Sequence, residues 1–397
     1  MKLLIIGMSL NVGGAEKSLV NFLNMIDYNK YEIDLLLFQK KGVFLKQIPN
    51  EVNLVDVPEI EVLFQSIIKT IKEYKFDLLK VFLGIKRYFI TFFEKKKWKQ
   101  FDQIRIHRWI DFYSKWVPIN EKKYDVGIAY AGGETAYYLV DKVKCNKRVY
   151  FFHSDYSEIN IDAEVEKKYV EKVDKIITIS DACKNSLVKL FPKQKNKMYV
   201  LQNLSSPDLI NKLSDEYFPD DYKNYKGTKI VSIGRLNKIK GYDMAIEAAK
   251  ILKDNKIDFK WFIVGEGLER DNLTSLIKKY KLEKSFFLVG LKENPYPYIK
   301  FADILVQPSR FEGKSVVLDE AKILAKPIIV TNYNSVDDQI IDGFNGIIVS
   351  MNSIGIFEGL NKLIIDNNKQ RNLSINCKKS IDLSISNIDS YMSIICK

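Results

Sequence analysis

Residues 301–346 restrict the fold of this chain more than any other segment. Two short apolar runs, 303–307 and 328–330, are separated by a loop and by apolar residues at helical spacing. Pro308 ends the first run, and Ser315, a residue type that favours helix N-caps, precedes the helical pattern. The order strand, loop, helix, strand is the repeating unit of a parallel sheet covered by helices. The segment therefore predicts an α/β fold.

Two carboxylates lie in this segment where a ligand could reach them. Glu312 is in the predicted loop at the carboxyl end of the first strand, and Glu320 is on the helix, with seven residues between the two. Open parallel sheets bind ligands outside the carboxyl ends of their strands. Carboxylate oxygens accept hydrogen bonds from the vicinal hydroxyls of a sugar or ribose, and a helix start offers N–H groups to phosphate. Alternatively, Glu312 stabilises the loop and Glu320 is a solvated surface residue.

A pair of basic residues has a comparable place earlier in the chain. The apolar run 229–234 ends in Gly234, and Arg235 and Lys240 bracket the turn before a predicted helix that begins at Tyr242. Arginine supplies planar paired donors and lysine a compact charge, so the two suit a diphosphate. Alternatively, both are solvated surface charges.

The amino-terminal part of the chain has its own candidate site. The apolar run Lys2–Gly7 predicts a buried strand, and Gly13 and Gly14 lie in the turn after it, where glycine lets the backbone approach a ligand closely. The apolar run 147–153 predicts a strand that delivers His153 to its carboxyl end, which favours a functional role. The alternatives are an ordinary turn and a buried histidine with satisfied hydrogen bonds.

The charge distribution favours anionic partners. The net charge is +12, and residues 61–123 contain fifteen Lys and Arg against seven Asp and Glu, interleaved with aromatic residues at helical spacing. This pattern is typical of a helix that lies in an anionic membrane interface. Ordinary core helices with lysines on the solvated face have the same pattern. No nucleic-acid-binding motif accompanies the charge, so we expect no nucleic acid partner.

Several classes of protein are not favoured. The four cysteines have no Cys-x-x-Cys spacing and predict reduced thiols in a cytosolic protein, and no apolar run approaches the length of a membrane span. The chain has no Asp-x-Asp sequence, so we expect fixed cations rather than a bound metal to neutralise a diphosphate, and we expect no cofactor. Residues 313–315 read Gly-Lys-Ser without the Gly-rich loop of a P-loop, and residues 265–270 lack the third glycine of a dinucleotide fingerprint.

The carboxyl-terminal half resembles a known family. Glu312 with Gly313 and Glu320 with Ala321, flanked by ADILVQPSRFEG and KPIIVT, resemble the Glu-x7-Glu motif of the retaining glycosyltransferases of family 4, which have the GT-B fold. The Gly-Arg-Leu sequence that starts at Gly234, with Lys-Gly a few residues later, resembles the pyrophosphate site of that family. Residues 13–16 resemble its amino-terminal loop.

The resemblance implies a role for each matching residue. Glu312 would orient the donor sugar and Glu320 would hold the nucleotide ribose. Arg235 and Lys240 would stabilise the departing diphosphate, and His153 would lie near the anomeric end of the sugar. The other positions that the resemblance assigns to substrate binding are Gly13, Gly14, Gly234, Leu291, Gly313, Lys314, Ser315 and Val316.

Some of these positions have a more specific expectation. Main-chain groups near Leu291 would bracket the base, and the N–H groups of Ser315 and Val316 would contact phosphate. Lys314 occupies a position that is apolar in many members, and its charge could itself reach a phosphate. Residues 202–204 are Gln-Asn-Leu where members commonly have Pro-Asn-Gly.

We expect two doubly wound Rossmann-like domains that face a central cleft, as in GT-B proteins. The predicted divisions are an acceptor-binding domain at 1–205 with the basic aromatic stretch 61–123, a linker at 206–228, a nucleotide-sugar domain at 229–375 and a helical tail at 376–397.

The resemblance implies a retaining transfer of a sugar from a nucleoside-diphosphate sugar, most often a UDP-sugar, and the absence of Asp-x-Asp predicts that the transfer is metal-independent. The predicted acceptor is a lipid-linked glycan of a bacterial capsule or lipopolysaccharide, at the inner face of the cell membrane. Three alternatives stay open: a transferase of the same fold with a soluble acceptor, a nucleotide-dependent oxidoreductase, and an inactive partner subunit of a glycosyltransferase complex.

Overall fold

The strands form two parallel sheets, one in each of two units. The structure is a computed structural model that describes residues 1–11, 13–97, 106–153, 163–381 and 388–397. Unit 1 comprises Met1–Leu204 with Asn387–Lys397, and unit 2 comprises Ser205–Ser386. In the described parts of the chain, no helix has both the length and the apolar composition that crossing a bilayer requires.

Seven strands belong to unit 1 and six to unit 2. The strands of unit 1 are β1 (Lys2–Gly7), β2 (Glu32–Leu37), β3 (Asn53–Val55), β4 (Asn120–Ala129), β5 (Val143–Phe152), β6 (Lys175–Thr178) and β7 (Met198–Val200). The strands of unit 2 are β8 (Thr228–Ile233), β9 (Phe259–Val264), β10 (Phe286–Gly290), β11 (Ile304–Gln307), β12 (Ile328–Thr331) and β13 (Ile347–Val349).

Helices follow most of these strands. The described α-helices of unit 1 are α1 (Gly14–Met25), α2 (Pro58–Phe64), α3 (Ile67–Glu73), α4 (Leu78–Lys97), α5 (Ser114–Trp116), α6 (Glu134–Lys142), α7 (Ala163–Val170), α8 (Asp181–Leu190) and, at the end of the chain, α16 (Ile388–Cys396). Those of unit 2 are α9 (Pro207–Ser214), α10 (Tyr242–Asp254), α11 (Arg270–Lys279), α12 (Tyr296–Phe301), α13 (Val316–Ile323), α14 (Ser353–Ile364) and α15 (Asn367–Lys379).

Both sheets reverse their winding direction once. The strand order is β3-β2-β1-β4-β5-β6-β7 in unit 1 and β10-β9-β8-β11-β12-β13 in unit 2. All of these pairs are parallel, and Leu3 lies beside Val126 in unit 1 as Ile304 lies beside Ile230 in unit 2. The reversal therefore falls between β1 and β4 and between β8 and β11, where the loops after neighbouring strands diverge and leave room for a ligand.

The strand sequences explain this arrangement. Each central strand is covered by helices on both faces, so it is a continuous apolar run rather than an alternating one. In β11 all four residues are buried, and β12 has the same pattern. The predicted α/β fold with two doubly wound Rossmann-like domains is confirmed, and each of the thirteen strands lies within a few residues of an apolar run in the sequence.

The basic aromatic stretch 61–123 contains both buried core residues and exposed aromatic residues. Trp109, Phe112 and Tyr113 belong to the buried core of unit 1. By contrast, the aromatic residues of α4 lie largely on its exposed face. Residues 98–105, which include Trp98 and Phe101, lie outside the described residues.

Residues 206–228, the predicted linker, contain structure that packs within unit 2. Helix α9 begins after Ser206, whose hydroxyl accepts a hydrogen bond from the Leu209 N–H, and it buries Ile210 and Leu213 on one face. These apolar positions, three residues apart, are surrounded by charged residues, which is why the segment reads as polar in sequence. The predicted tail 376–397 spans the end of α15, in unit 2, and α16, in unit 1.

Candidate functional site

The loops after β8 and β11 meet at the reversal point of unit 2. Gly241 is the N-cap of α10 and has a left-handed φ of 66°. A Cβ atom at this position would lie 2.0 Å from the carbonyl oxygen of Pro308 in the other loop. Only glycine therefore satisfies both the backbone conformation and the close approach of the two loops.

Arg310 ties the two loops together. Its Nη1 and Nη2 donate to Oδ1 and Oδ2 of Asp243 at 2.8 and 2.6 Å, and Nη1 also donates to the carbonyl of Lys238 at 2.8 Å. The Arg310 N–H donates to the carbonyl of Ile239 at 2.7 Å. Burial opposes ionisation of Asp243, but the hydrogen bonds from Arg310 outweigh it and lower the pKa of this carboxyl. The pairing fixes the loop that carries Lys240 against the loop that carries Glu312.

The result is a contact between a predicted cation and a predicted carboxylate. Lys240 Nζ lies 2.5 Å from Glu312 Oε1, and the two side chains are 21% and 13% exposed. The same oxygen accepts hydrogen bonds from Gln307 Nε2 at 2.9 Å and from Ser309 Oγ at 2.7 Å. All three donors contact Oε1, so Oε2 lies outside this set of contacts. The Ser335 hydroxyl donates to the Glu312 carbonyl at 2.7 Å, which holds the backbone of the loop as well.

Ser315 lies at the N-cap of α13, as predicted, but its hydroxyl does not cap the helix. Ser315 Oγ donates instead to Gln307 Oε1 at 2.7 Å. The Ser315 N–H, predicted to contact phosphate, donates to Gln339 Oε1 at 2.8 Å, and Gln339 Nε2 returns a hydrogen bond to the Ser315 carbonyl. The Gln339 amide therefore pairs with Ser315 as a neighbouring strand would.

Lys314 differs from its predicted role. Its ammonium lies 3.2 Å from Asp319 Oδ2, and the two side chains are 4% and 0% exposed. The Asp319 carboxylate also accepts a hydrogen bond from Gln339 Nε2 at 3.0 Å. The structure therefore places Lys314 in a buried ion pair beneath the loop rather than at its surface, because an ammonium so far from water needs a carboxylate partner.

Glu320 is also buried rather than solvated. The residue has no exposed surface, and the Tyr296 hydroxyl lies beside its carboxylate. Burial, and next the nearby carboxylate, raise the pKa of Tyr296 well above its usual range.

The other predicted residues of unit 2 lie at the same edge of the sheet. Gly234 directly follows β8, and the exposed Arg235 begins the loop that leads to Lys240. Gly313 is half-buried between Glu312 and the buried Lys314, and Val316 is the first residue of α13. Leu291 follows β10 and is 43% exposed.

The predicted residues of unit 1 lie at the carboxyl edge of its own sheet. Gly13 is the N-cap of α1 and Gly14 is its first residue. His153 follows β5, its ring stacks on Phe151, and its Nδ1 lies 3.2 Å from Asn203 Oδ1.

The environment of His153 favours the neutral imidazole. The residue as a whole is half-buried, but Nε2 is inaccessible to solvent and has no hydrogen-bond partner among the described residues. Burial lowers the pKa of His153 to about 4, and the hydrogen bond with Asn203 opposes this shift only in part. The ring is therefore uncharged at neutral pH.

Two other features bear on the search for a site. Among the residues that the structure describes, no group of three His, Cys, Asp or Glu side chains could hold a metal ion. A pocket of about 840 Å³ lies at the opposite edge of the unit 2 sheet, lined by Lys253, Lys256, Lys260, Lys281 and Lys284 among others. Lys253 donates to the carbonyl of Lys281 beyond the end of α11, where a cation is favourable near a helix carboxyl terminus, so this lysine has a structural explanation.

Sequence reasoning missed the residues that hold the site. Gln307, Ser309 and Gln339 contact predicted residues directly, and Arg310 joins the two loops that carry Lys240 and Glu312, yet each is a common polar residue in a loop or at a strand end. A usable signal was the placement of Gln307 at the end of an otherwise apolar strand, because a buried amide requires partners.

Comparison with known proteins finds a family match that lies within unit 2. Residues 214–380 match the family described as "Glycosyl transferases group 1". An uncharacterized glycosyltransferase of Methanocaldococcus jannaschii is 30% identical over 179 residues, which are 45% of this chain but only 44% of that protein. The chain thus spans less than half the length of this relative.

A second relative matches over most of its length. It is the N-acetylgalactosamine-N,N'-diacetylbacillosaminyl-diphospho-undecaprenol 4-alpha-N-acetylgalactosaminyltransferase of Campylobacter jejuni, 26% identical over 367 residues, or 90% of this chain and 88% of the relative. Among solved structures, Anabaena HepE in complex with UDP and glucose aligns with a TM-score of 0.68 and 17% identity, over 99% of this chain and 98% of that one. The chain has the two-domain GT-B fold, and the part of it that matches the glycosyl transferases group 1 family lies within unit 2.

Proposed function

We propose that this protein transfers a sugar from a nucleoside-diphosphate sugar to a glycan acceptor in the assembly of a bacterial surface polysaccharide. The observation that carries the proposal is the contact between Lys240 and Glu312 at the reversal point of the unit 2 sheet. A sugar nucleotide carries its diphosphate one bond away from its sugar, so it needs a cation and a hydroxyl acceptor side by side.

The donor is proposed to be a UDP-sugar. Lys240 and Arg235 neutralise the diphosphate, and Glu312 accepts hydrogen bonds from hydroxyls of the donor sugar. HepE, a protein of the same fold, was solved with UDP and glucose, which supports this donor class. Because these two cations are fixed in the protein, we propose that the transfer needs no divalent metal.

The remaining residues complete the proposed donor site. Glu320 holds the ribose, and since its carboxylate is buried beside Tyr296, ribose binding replaces that neighbour. Main-chain groups at Gly234, Leu291, Gly313 and Val316 contact the base or phosphates. In unit 1, we propose that His153 contacts the donor sugar and that the backbone at Gly13 and Gly14 approaches the substrate closely.

The proposed reaction retains the configuration of the sugar. The bond between the anomeric carbon and the diphosphate oxygen breaks, and its electron pair stays with the diphosphate, where Lys240 and Arg235 stabilise the charge. The acceptor hydroxyl oxygen bonds to the anomeric carbon from the same face, and its proton passes to the leaving phosphate. The products are the glycoside and the nucleoside diphosphate.

The acceptor is proposed to be lipid-linked, as in a capsule or lipopolysaccharide precursor. The Campylobacter relative is named for a diphospho-undecaprenol-linked acceptor, and it matches 90% of this chain. A lipid-linked acceptor requires the enzyme to reach a membrane surface.

Helix α4 is the proposed membrane-binding element. Its residues Leu78, Phe82, Ile85, Phe89 and Phe92 recur at intervals of four and three, so they form one stripe, and all are exposed. The opposite face is packed, because Leu83 is buried and a Cβ at Gly84 would lie 2.9 Å from Thr70 of α3. An outward stripe of this kind suits the acyl boundary of a bilayer.

The charge around α4 suits an anionic bilayer at the inner face of the cell membrane. Residues 67–97 carry nine Lys and Arg against three Asp and Glu. Each basic residue near such a surface contributes roughly 1 kcal/mol of attraction, so the stripe and the charge act together.

Vesicle flotation tests this membrane role. We expect the protein to float with phosphatidylglycerol vesicles, less with phosphatidylcholine vesicles, and not at all when Phe89→Glu and Phe92→Glu are combined. Leu268→Glu is the matched control, because Leu268 is 97% exposed in unit 2, far along the chain from α4. Absence of flotation at low salt would favour a soluble acceptor, and a stripe-dependent dimer in light scattering would assign α4 to self-association instead.

The donor proposal has its own experiment. A thermal-shift screen with UDP-, GDP-, ADP- and dTDP-sugars in EDTA should show stabilisation by one nucleotide class, followed by turnover on lipid-linked acceptors. Tight NADH binding without any sugar-nucleotide binding would overturn the proposal in favour of an oxidoreductase. Donor binding without hydrolysis or transfer would indicate an inactive partner subunit.

A further inference from the structure

Glu312 is held by neutral groups as well as by Lys240. Gln307 and Ser309, whose donors contact Glu312 Oε1, are 4% and 0% exposed. A buried polar side chain loses its hydrogen bonds to water, so it is retained in a structure where it has a partner. Here both residues direct their donors to the same carboxylate oxygen.

The orientation of the Gln307 amide is fixed. Ser315 Oγ donates to Gln307 Oε1 at 2.7 Å, and Gln307 Nε2 therefore faces Glu312. Ser315 is itself held at its N–H and its carbonyl by the Gln339 amide, at 2.8 Å each. A hydrogen-bonded chain thus runs from Gln339 through Ser315 and Gln307 to Glu312, and it prevents the amide from presenting its oxygen to the carboxylate.

Lys240 alone would hold the carboxylate poorly during the proposed reaction. The lysine reaches Glu312 on a flexible four-carbon stem, and in the proposed function its charge is also needed by a diphosphate. If the ammonium turned toward the phosphate, a Glu312 carboxylate with no other hydrogen-bond donor would move with it. Gln307 comes from the rigid end of β11, so its contact with Glu312 does not depend on the lysine.

We propose that Gln307, supported by Ser309, is a positioning residue that holds Glu312 Oε1 so that Oε2 faces the hydroxyls of the donor sugar. This inference rests on the proposed function, because it assigns to Glu312 the contact with the sugar. It adds a separation of roles: Lys240 neutralises the diphosphate, while neutral buried donors hold the sugar-binding carboxylate in position.

Two variants of Gln307 test the role. Gln307→Met keeps the length of the side chain and removes both hydrogen bonds, and Gln307→Leu removes both with a side chain of similar volume. We expect each to lower kcat for the UDP-sugar by about 10- to 100-fold, since misplacement by 1 Å costs up to about 10²-fold. The Kd for UDP, which has no sugar, should stay within about twofold.

A lower kcat with an unchanged Kd for UDP distinguishes a positioning role from general damage to the site. Ser232→Ala is the matched control, because the Ser232 hydroxyl is buried in the same sheet and bonds Val306 and Trp261 but not Glu312. It should change thermal stability without lowering kcat. Ser309→Ala should resemble the Gln307 variants, and Ser309→Thr, which keeps the hydroxyl, should restore most of the turnover.

Crystal structures of wild type and Gln307→Met provide a measurement that does not need activity. We expect the Glu312 carboxylate to leave its position beside Ser309 in the variant. An unchanged carboxylate, or unchanged kcat in both Gln307 variants, would overturn the inference. Failure of the wild type to turn over any sugar nucleotide would instead refute the proposed function, while the crystallographic comparison would still decide the role of Gln307.

Discussion

Replacing Lys240 by alanine tests the proposed chemistry most directly. The ammonium lies 2.5 Å from Glu312 Oε1 in a partly buried site. In the proposed reaction it also stabilises charge that develops on the leaving diphosphate. Removing one such preorganised group typically costs about 10²–10³ in rate, so kcat should fall by that factor.

The variant should nevertheless fold. At an effective dielectric constant of about 20, two unit charges 2.5 Å apart attract by roughly 7 kcal/mol before any desolvation is subtracted. Desolvation cancels most of that attraction, and Gln307 and Ser309 still solvate the carboxylate that remains. We therefore expect a loss of about 1–3 kcal/mol in the free energy of unfolding, within the 5–15 kcal/mol that a typical domain has.

The assay is release of UDP from a UDP-sugar, with urea unfolding of the same samples. Lys250→Ala is the matched control, because Lys250 forms a surface ion pair with Asp254 on α10, and a surface pair contributes little. It should leave kcat unchanged. Turnover of Lys240→Ala at the wild-type rate, with donor binding intact, would refute the role of this lysine in leaving-group stabilisation.

Three further predictions concern stability. Burial lowers the pKa of His153 to about 4, so the contribution of the neutral ring to the free energy of unfolding is fully present above pH 6.5 and is lost as the pH falls from about 6.5 toward 4. Urea unfolding should show that wild type loses up to about 3 kcal/mol more than His153→Asn over this range, and the same pH dependence in both proteins would contradict the prediction. Gly241→Ala forces a left-handed alanine and a Cβ 2.0 Å from the Pro308 carbonyl oxygen, so we expect at least about 2 kcal/mol of destabilisation, and a cost below 1 kcal/mol would show that the two loops can separate. Lys314→Met leaves Asp319 buried without its cation and should cost about 3–5 kcal/mol by urea unfolding, whereas the double variant with Asp319→Asn should recover most of the loss; no recovery would show that Lys314 acts through packing alone.

Much of the fold follows from short-range sequence patterns. Buried parallel strands are short apolar runs, and turns end them, so runs such as β1 and β11 could be located by inspection. The contact of Lys240 with Glu312 was also within reach, because both follow strands that a doubly wound sheet brings together. The strand order itself follows from the fold class.

The supporting contacts could not be predicted in the same way. Arg310 binds Asp243, which is sixty-seven residues away in the sequence, and no local pattern indicates which of the many basic residues makes this contact. The position of Lys314 suggested a phosphate contact, but its ammonium forms an ion pair with the buried Asp319. This partner can be identified only when the rotation of α13 about its axis is known. The burial of Glu320, for which a solvated surface position was the alternative to ribose binding, depends on that rotation too.

The last helix also has a consequence for how the protein is made. Tyr391 of α16 packs against Phe22 and Phe151, and Tyr130, which is hydrogen-bonded to Tyr391, lies against the ring of His153 at 4.8 Å. Lys147 Nζ donates to the carbonyl of Cys396 at 2.9 Å. Ribosomes synthesise α16 only after all of unit 2. Unit 1 therefore completes the packing around His153 only once α16 has been made, and a nascent chain halted just before α16 would leave that packing unfinished.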